Sequence, residues 1–182
     1  MKVIGVVGLP ASGKGEFSKI AAGMGIPVIV MGDMIRRAVS LAGLEPNDTN
    51  FGAMANRLRE EGGMDAIARL CIPEIRKQTA PLVLVDGIRG DAEVALFRRC
   101  FSGFVLISID SSFEKRLARI AVRARSDDFT SADDLRNRDE RERKWGLLTA
   151  LNSADQHISN EGTLDEFSDA VHALLGRIGR DP

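Results

Sequence analysis

The chain has 182 residues, a formal net charge of −1, 44% hydrophobic residues and 28% charged residues. These are ordinary values for one globular domain with a substantial core, so they exclude global disorder. The near-neutral balance excludes attachment to nucleic acid by bulk charge, though not a local basic pocket.

In chain order, residues 1–7 form the first expected strand, apolar over 3–7, as in a central parallel strand buried on both faces. Met1 enters this strand at once, and no apolar run approaches the about 20 residues a membrane-spanning helix needs. A cytoplasmic protein with no membrane partner is the expectation. A Gly-rich turn at 8–15 leads into a helix over 14–24. A second strand over 27–31 ends at Gly32-Asp33, and Asp33 is the expected N-cap of the next helix. Residues 43–80 carry a loop and two helices, 48–61 and 64–78, with Pro73 expected to kink or split the second. This exceeds what a simple crossover needs and predicts an inserted helical subdomain. A third strand over 81–87 ends on Asp86-Gly87. A helix over 91–101, a strand over 104–110 and a helix from Ser111 or Ser112 to about 124 follow. A polar connection at 125–132 precedes a charged helix over 133–145 and a short one over 146–155. A weak fifth strand at 157–159, a turn at 160–162 and a helix over 163–177 close the chain. Strands alternating with helices predict a doubly wound α/β fold, a five-stranded parallel sheet with helices on both faces.

Gly8-Leu9-Pro10-Ala11-Ser12-Gly13-Lys14-Gly15 has the GxxxxGK spacing of a phosphate-binding loop, in the strand–turn–helix context that gives the pattern meaning. Backbone N–H groups of the turn converge with the helix N-terminus on one concave site, where the helix dipole favours an anion. Gly8 and Gly13 leave the backbone free to curl, and Lys14 reaches the β- and γ-phosphates as a point charge. Gly15 stands where a hydroxyl commonly holds Mg²⁺. That shifts metal support to Asp33 and Asp86, both at strand carboxyl ends facing one cleft. Arg36 and Arg89 follow these acids and suit a bidentate clamp on an acceptor phosphate. Arg116, Arg119, Arg123 and Arg125, then Arg136, Arg138, Arg141 and Arg143, flank the polar connection. Interleaved acids make most of these a solvated, salt-bridged face, leaving a few to touch phosphate. Met31, Met34 and Met54 suit either core or base pocket. Cys71 and Cys100 read as free buried thiols.

Gly8–Gly15 with Glu16, Met31-Gly32-Asp33-Met34-Ile35-Arg36, Asp86-Gly87-Ile88-Arg89 and Arg125-Ser126-Asp127-Asp128 occur in the order seen in the adenylate kinase family. Over almost its whole length the chain resembles that nucleoside monophosphate kinase group, most of all its uncharacterised, mostly archaeal relatives. The resemblance implies a P-loop NTPase fold that uses ATP and Mg²⁺, with a nucleoside monophosphate or related small molecule as acceptor. It implies that 43–80 receives the acceptor and that 123–136 is a short lid. Arg36 and Arg89 would bind the acceptor phosphate, and Arg119, Arg123 and Arg125 would lie near the transferring group. One of Arg136 and Arg138, here assigned as Arg138, would add a clamp. Asn160–Gly162 would lie near the ATP base. Met31 stands where the family usually has Thr beside the acceptor base, Glu93 where a Gln usually reads the adenine edge, and Glu16 where a Thr follows the loop. The segment 154–166 is also similar to the C-terminal part of dephospho-coenzyme A kinases, whose hydroxyl acceptor would call on Asp33 as base. An ATPase or adaptor with no small-molecule acceptor is the third expectation.

Overall fold

The structure, a computed structural model, describes residues 1–123 and 131–180, with the side chain of Arg123 outside that description. The apolar run at the start forms β1 (Lys2–Val7), and α1 (Lys14–Gly23) follows the Gly-rich turn. β2 (Val28–Val30) passes directly into α2 (Met31–Leu41), and two further helices, α3 (Asp48–Gly62) and α4 (Ala66–Arg76), precede β3 (Leu82–Ile88). The chain continues through α5 (Asp91–Cys100), β4 (Phe104–Asp110), α6 (Phe113–Arg123), α7 (Ala132–Arg143), α8 (Leu147–Asn152), β5 (Gln156–Ser159) and α9 (Leu164–Arg180).

The five strands form one all-parallel sheet in the order β2-β3-β1-β4-β5. This is the α/β P-loop NTPase fold. Strand side chains alternate between two cores, as the two-residue period requires. Val3, Val7, Val83, Val85 and Leu106 pack with Met31, Ala55, Ile67, Cys71, Phe97 and Leu147 from α2, α3, α4, α5 and α8. Ile4, Val6, Leu84, Ile107 and Ile109 pack on the other face with Phe17 and Ala21 of α1 and Phe167, Val171 and Leu175 of α9. Among the described residues no helix is long and apolar enough to cross a membrane.

Three local expectations need correction. Asp33 does not cap α2. The helix starts at Met31, with extended Val30 as its N-cap, so Asp33 falls in the first turn and Met31 turns inward to the core. Pro73 does not split α4, which runs unbroken over Ala66–Arg76. Proline removes a single backbone donor, so the helix loses one rung and continues past it. Nor does β3 end on the acid: it continues to Ile88, and the pairing with β1 slips between Val6↔Asp86 and Val7↔Ile88. Gly87, at φ 92°, is the extra residue of this bulge, a backbone conformation that suits glycine.

Candidate active site

The turn after β1 holds an unusual backbone. Ala11 has φ 61° and Gly13 φ 116°, and Gly13 is also the N-cap of α1. A side chain at Gly13 would meet strain and also Asn160 Nδ2, 2.2 Å from its Cβ position. Asn160 lies just beyond β5 and donates from Nδ2 to the Ser12 carbonyl at 2.8 Å, so the end of the sheet pins the loop from behind. Glu16 and Phe17 amides bond to the Gly13 carbonyl. Lys14 and Gly15 head the helix, where amides lack a carbonyl from a preceding turn.

Lys14 is buried, 9% exposed, and donates from Nζ to the loop carbonyls of Gly8 at 2.6 Å and Leu9 at 2.9 Å. Burial, with help from Arg89 and Arg138, lowers its pKa to about 7 against the opposing pull of Glu142 and Asp86. Around it opens a cavity of about 770 Å³. Among the described residues, seven cationic side chains line this cavity (Lys14, Lys19, Arg36, Arg89, Lys115, Arg119 and Arg138) against two acids, Glu16 and Asp86.

Pro10, Ala11, Gly13, Gly15 and Glu16 line the cavity with Lys14, and Asn160, Gly162, Leu164 and Phe167 line it as well. Gly8 and Ser12 serve the loop from within, through their carbonyls. Arg36, Asp86 and Arg89 line it too, with Val30 and Gly32. Arg138 lines the cavity as well, whereas Arg136 lies exposed on α7, paired with Asp133 and 4.9 Å from the Phe113 ring. Arg119 reaches it from α6, donating to the carbonyls of Ser12 and Asn160 and to Ser111 Oγ. Arg125 and the Arg123 side chain lie outside the described residues.

Three predicted residues sit elsewhere. Met31 is buried in the core. The Asp33 carboxylate is half-exposed, 2.5 Å from Arg36 Nη1, and is not part of the cavity wall. Glu93 is 0% exposed: it accepts from Arg59 Nη2 at 2.9 Å and from the Arg89 amide at 2.7 Å. Burial pushes its carboxyl pKa up, against the pull of Arg59. No residue of α3, α4 or α5 is among the described residues that line the cavity.

Asp86 is paired in register with Val30, which places its carboxylate on the cavity wall beside the loop. Among the described residues no three acid, histidine or cysteine side chains gather at one point. The Asp86 carboxylate fits Mg²⁺, which takes one or two carboxylates and fills the remaining positions with water and phosphate oxygens.

Sequence reasoning missed the buried acids of α7. Asp139 takes both Nη atoms of Arg116 at 2.9 and 2.7 Å, and Arg116 also donates to the Pro10 carbonyl at 3.0 Å. Glu142 pairs with Arg89 and with Arg138 Nε at 3.1 Å. Leu135, Asp139 and Glu142 fall at i, i+4 and i+7. That spacing was the available signal for an inward face.

An AAA-domain family model matches residues 7–136. A UPF0200 protein of Methanoregula boonei is 62% identical over 182 residues, with 100% of each chain covered. The chain belongs to the UPF0200 family. A second member, from Methanoculleus marisnigri, is 59% identical over 98% of each chain, and one from Methanosarcina mazei is 52% identical over 96% of this chain and 94% of its own. Among solved structures, TT1252 from Thermus thermophilus superposes with a TM-score of 0.63 at 19% identity, covering 97% of both chains. Shikimate kinase from Aquifex aeolicus superposes with a TM-score of 0.53 at 17% identity, covering 96% of both. At these identities the likeness is one of fold alone.

Proposed function

We propose that this chain transfers the γ-phosphoryl group of ATP to a nucleoside monophosphate, with Mg²⁺ as cofactor. The observation that carries the reading is the charge of the cavity: among the described residues, seven cationic side chains line it against two acids, in a chain of net charge −1. Such a concentration around Lys14 suits a polyanion, and phosphoryl transfer needs chiefly positioning and charge neutralisation.

The 8–15 amides and Lys14 would hold the donor phosphates. Asp86 would hold Mg²⁺, which when bound neutralises charge on the β- and γ-phosphates. Asn160, Gly162, Leu164 and Phe167 would face the donor base. Arg36 and Arg89 would hold the acceptor phosphate, whose oxygen attacks the γ-phosphorus while the bond to the β-bridging oxygen breaks and ADP leaves. Arg119 and Arg138, with Arg123 and Arg125 of the 123–136 lid, would neutralise the group in flight. The 43–80 helices would border the acceptor side, where Phe51 of α3 lies 6.0 Å from the Arg36 guanidinium. Met31 and Glu93, sealed in the interior, would act on the acceptor only through the elements they anchor.

A hydroxyl acceptor would need a general base within reach of the hydroxyl. Asp33 is turned to Arg36 outside the cavity wall, which favours an acceptor that is already an oxyanion. Lys14→Met is expected to lower ATP turnover by about a hundredfold or more, the scale of losing one preorganised charge at a reacting centre. Turnover within twofold of the unaltered protein would overturn the assignment.

A further inference from the structure

The charged helix α7 is not uniformly solvated. Asp133 and Glu140 pair with arginines three positions away on the exposed side. Glu142 faces inward, and its side chain is 2% exposed against 23% for Arg89 and 20% for Arg138. Arg89 and Arg138 line the cavity and Glu142 does not. The acid therefore sits behind two cations that face the Lys14 side of the site.

We propose that Glu142 is a positioning residue: its carboxylate braces Arg89 and Arg138 from behind as a two-armed clamp on a phosphoryl group opposite Lys14. This rests on the phosphotransfer reading. Each carboxylate oxygen has its own arm, Oε2 facing Arg89 and Oε1 accepting from Arg138 Nε. The arms are fixed at a second point as well. The Arg89 amide donates to Glu93, and Arg138 Nη1 lies 3.2 Å from Asp48 Oδ1 at the start of α3. Burial alone would raise the Glu142 pKa, but Arg89, Arg138 and Lys14 outweigh it and hold the group below the usual carboxylate value, so it stays ionised. A fixed, ionised brace removes from each guanidinium the freedom it would lose on meeting phosphate.

A plain buried ion pair would also stabilise the fold, so the test reads ligand binding through a double-mutant cycle. Inorganic pyrophosphate binding is measured by calorimetry for the unaltered protein, Arg138→Gln, Glu142→Gln and the double variant, with thermal melting as the folding control. In the unaltered background Arg138→Gln is expected to weaken binding about tenfold, the scale of one charge-assisted hydrogen bond. In the Glu142→Gln background the same change is expected to cost less than about twofold, because the arm is already unbraced. An equal cost in both backgrounds, or no pyrophosphate binding by the unaltered protein, overturns the proposal. If Glu142→Gln alone does not fold, the same cycle is run in an Arg89→Gln background, comparing the cost of Arg138→Gln with and without Glu142→Gln and without the unpaired Arg89 charge. Intact coupling with no transfer from ATP to any acceptor would sink the phosphotransfer reading and leave the clamp standing.

Discussion

Lys14 shows how one residue links the loop to the chemistry. Its ammonium rests on the carbonyls of Gly8 and Leu9, yet burial and the neighbouring arginines bring its pKa to about 7 from an ordinary 10.5. Between those values the unfolded chain holds a proton that the folded chain lacks, so this group's contribution to stability rises with pH across that window and is at its lowest below about 7. Bound phosphate needs the cation and would restore the proton. Nucleotide binding at about pH 8.5 is therefore expected to take up about one proton, falling to none near pH 6. Calorimetry in buffers of different ionisation enthalpy measures this, and zero uptake at the higher pH would contradict it. The glycines, Lys14 and the arginines at 36 and 89 were legible because local spacing places them. Met31 and Glu93 were not. Met31 opens a helix rather than ending a strand, which rotates it into the core. Glu93 meets Arg59, 34 positions away in the chain, and no local pattern shows such a pairing.

At the scale of elements, α7 is the largest departure from expectation. Its composition reads as a solvated face, and its outer side is one. Its inner side carries Leu135, Asp139 and Glu142, all buried. Asp139 holds Arg116, and Arg116 holds the Pro10 carbonyl, so α7 and α6 brace the phosphate loop through one ion pair. Removing one partner of a buried pair leaves an uncompensated charge. Asp139→Asn is expected to cost about 3–5 kcal/mol of stability, read as a lowered denaturation midpoint. A cost below about 1 kcal/mol would show that the pair does not brace the loop. The sequence could show that acids and arginines alternate here. It could not show which of them meet partners from α6 and β3, because burial is set by packing.

For the whole molecule, the alternation of apolar runs and amphipathic helices made the parallel α/β fold legible, and the P-loop supplied its centre. The strand order was not legible, because crossover rules fix handedness and not sequence of neighbours. That order puts β1 between β3 and β4, so Lys14, Asp86 and Arg119 converge from adjacent elements. The most direct test of the central claim is transfer itself. The protein is incubated with Mg²⁺, γ-labelled ATP, a panel of nucleoside monophosphates and dephospho-coenzyme A. The account predicts label on a nucleoside diphosphate. Label released only as inorganic phosphate whatever acceptor is present, or passed only to dephospho-coenzyme A, would contradict it.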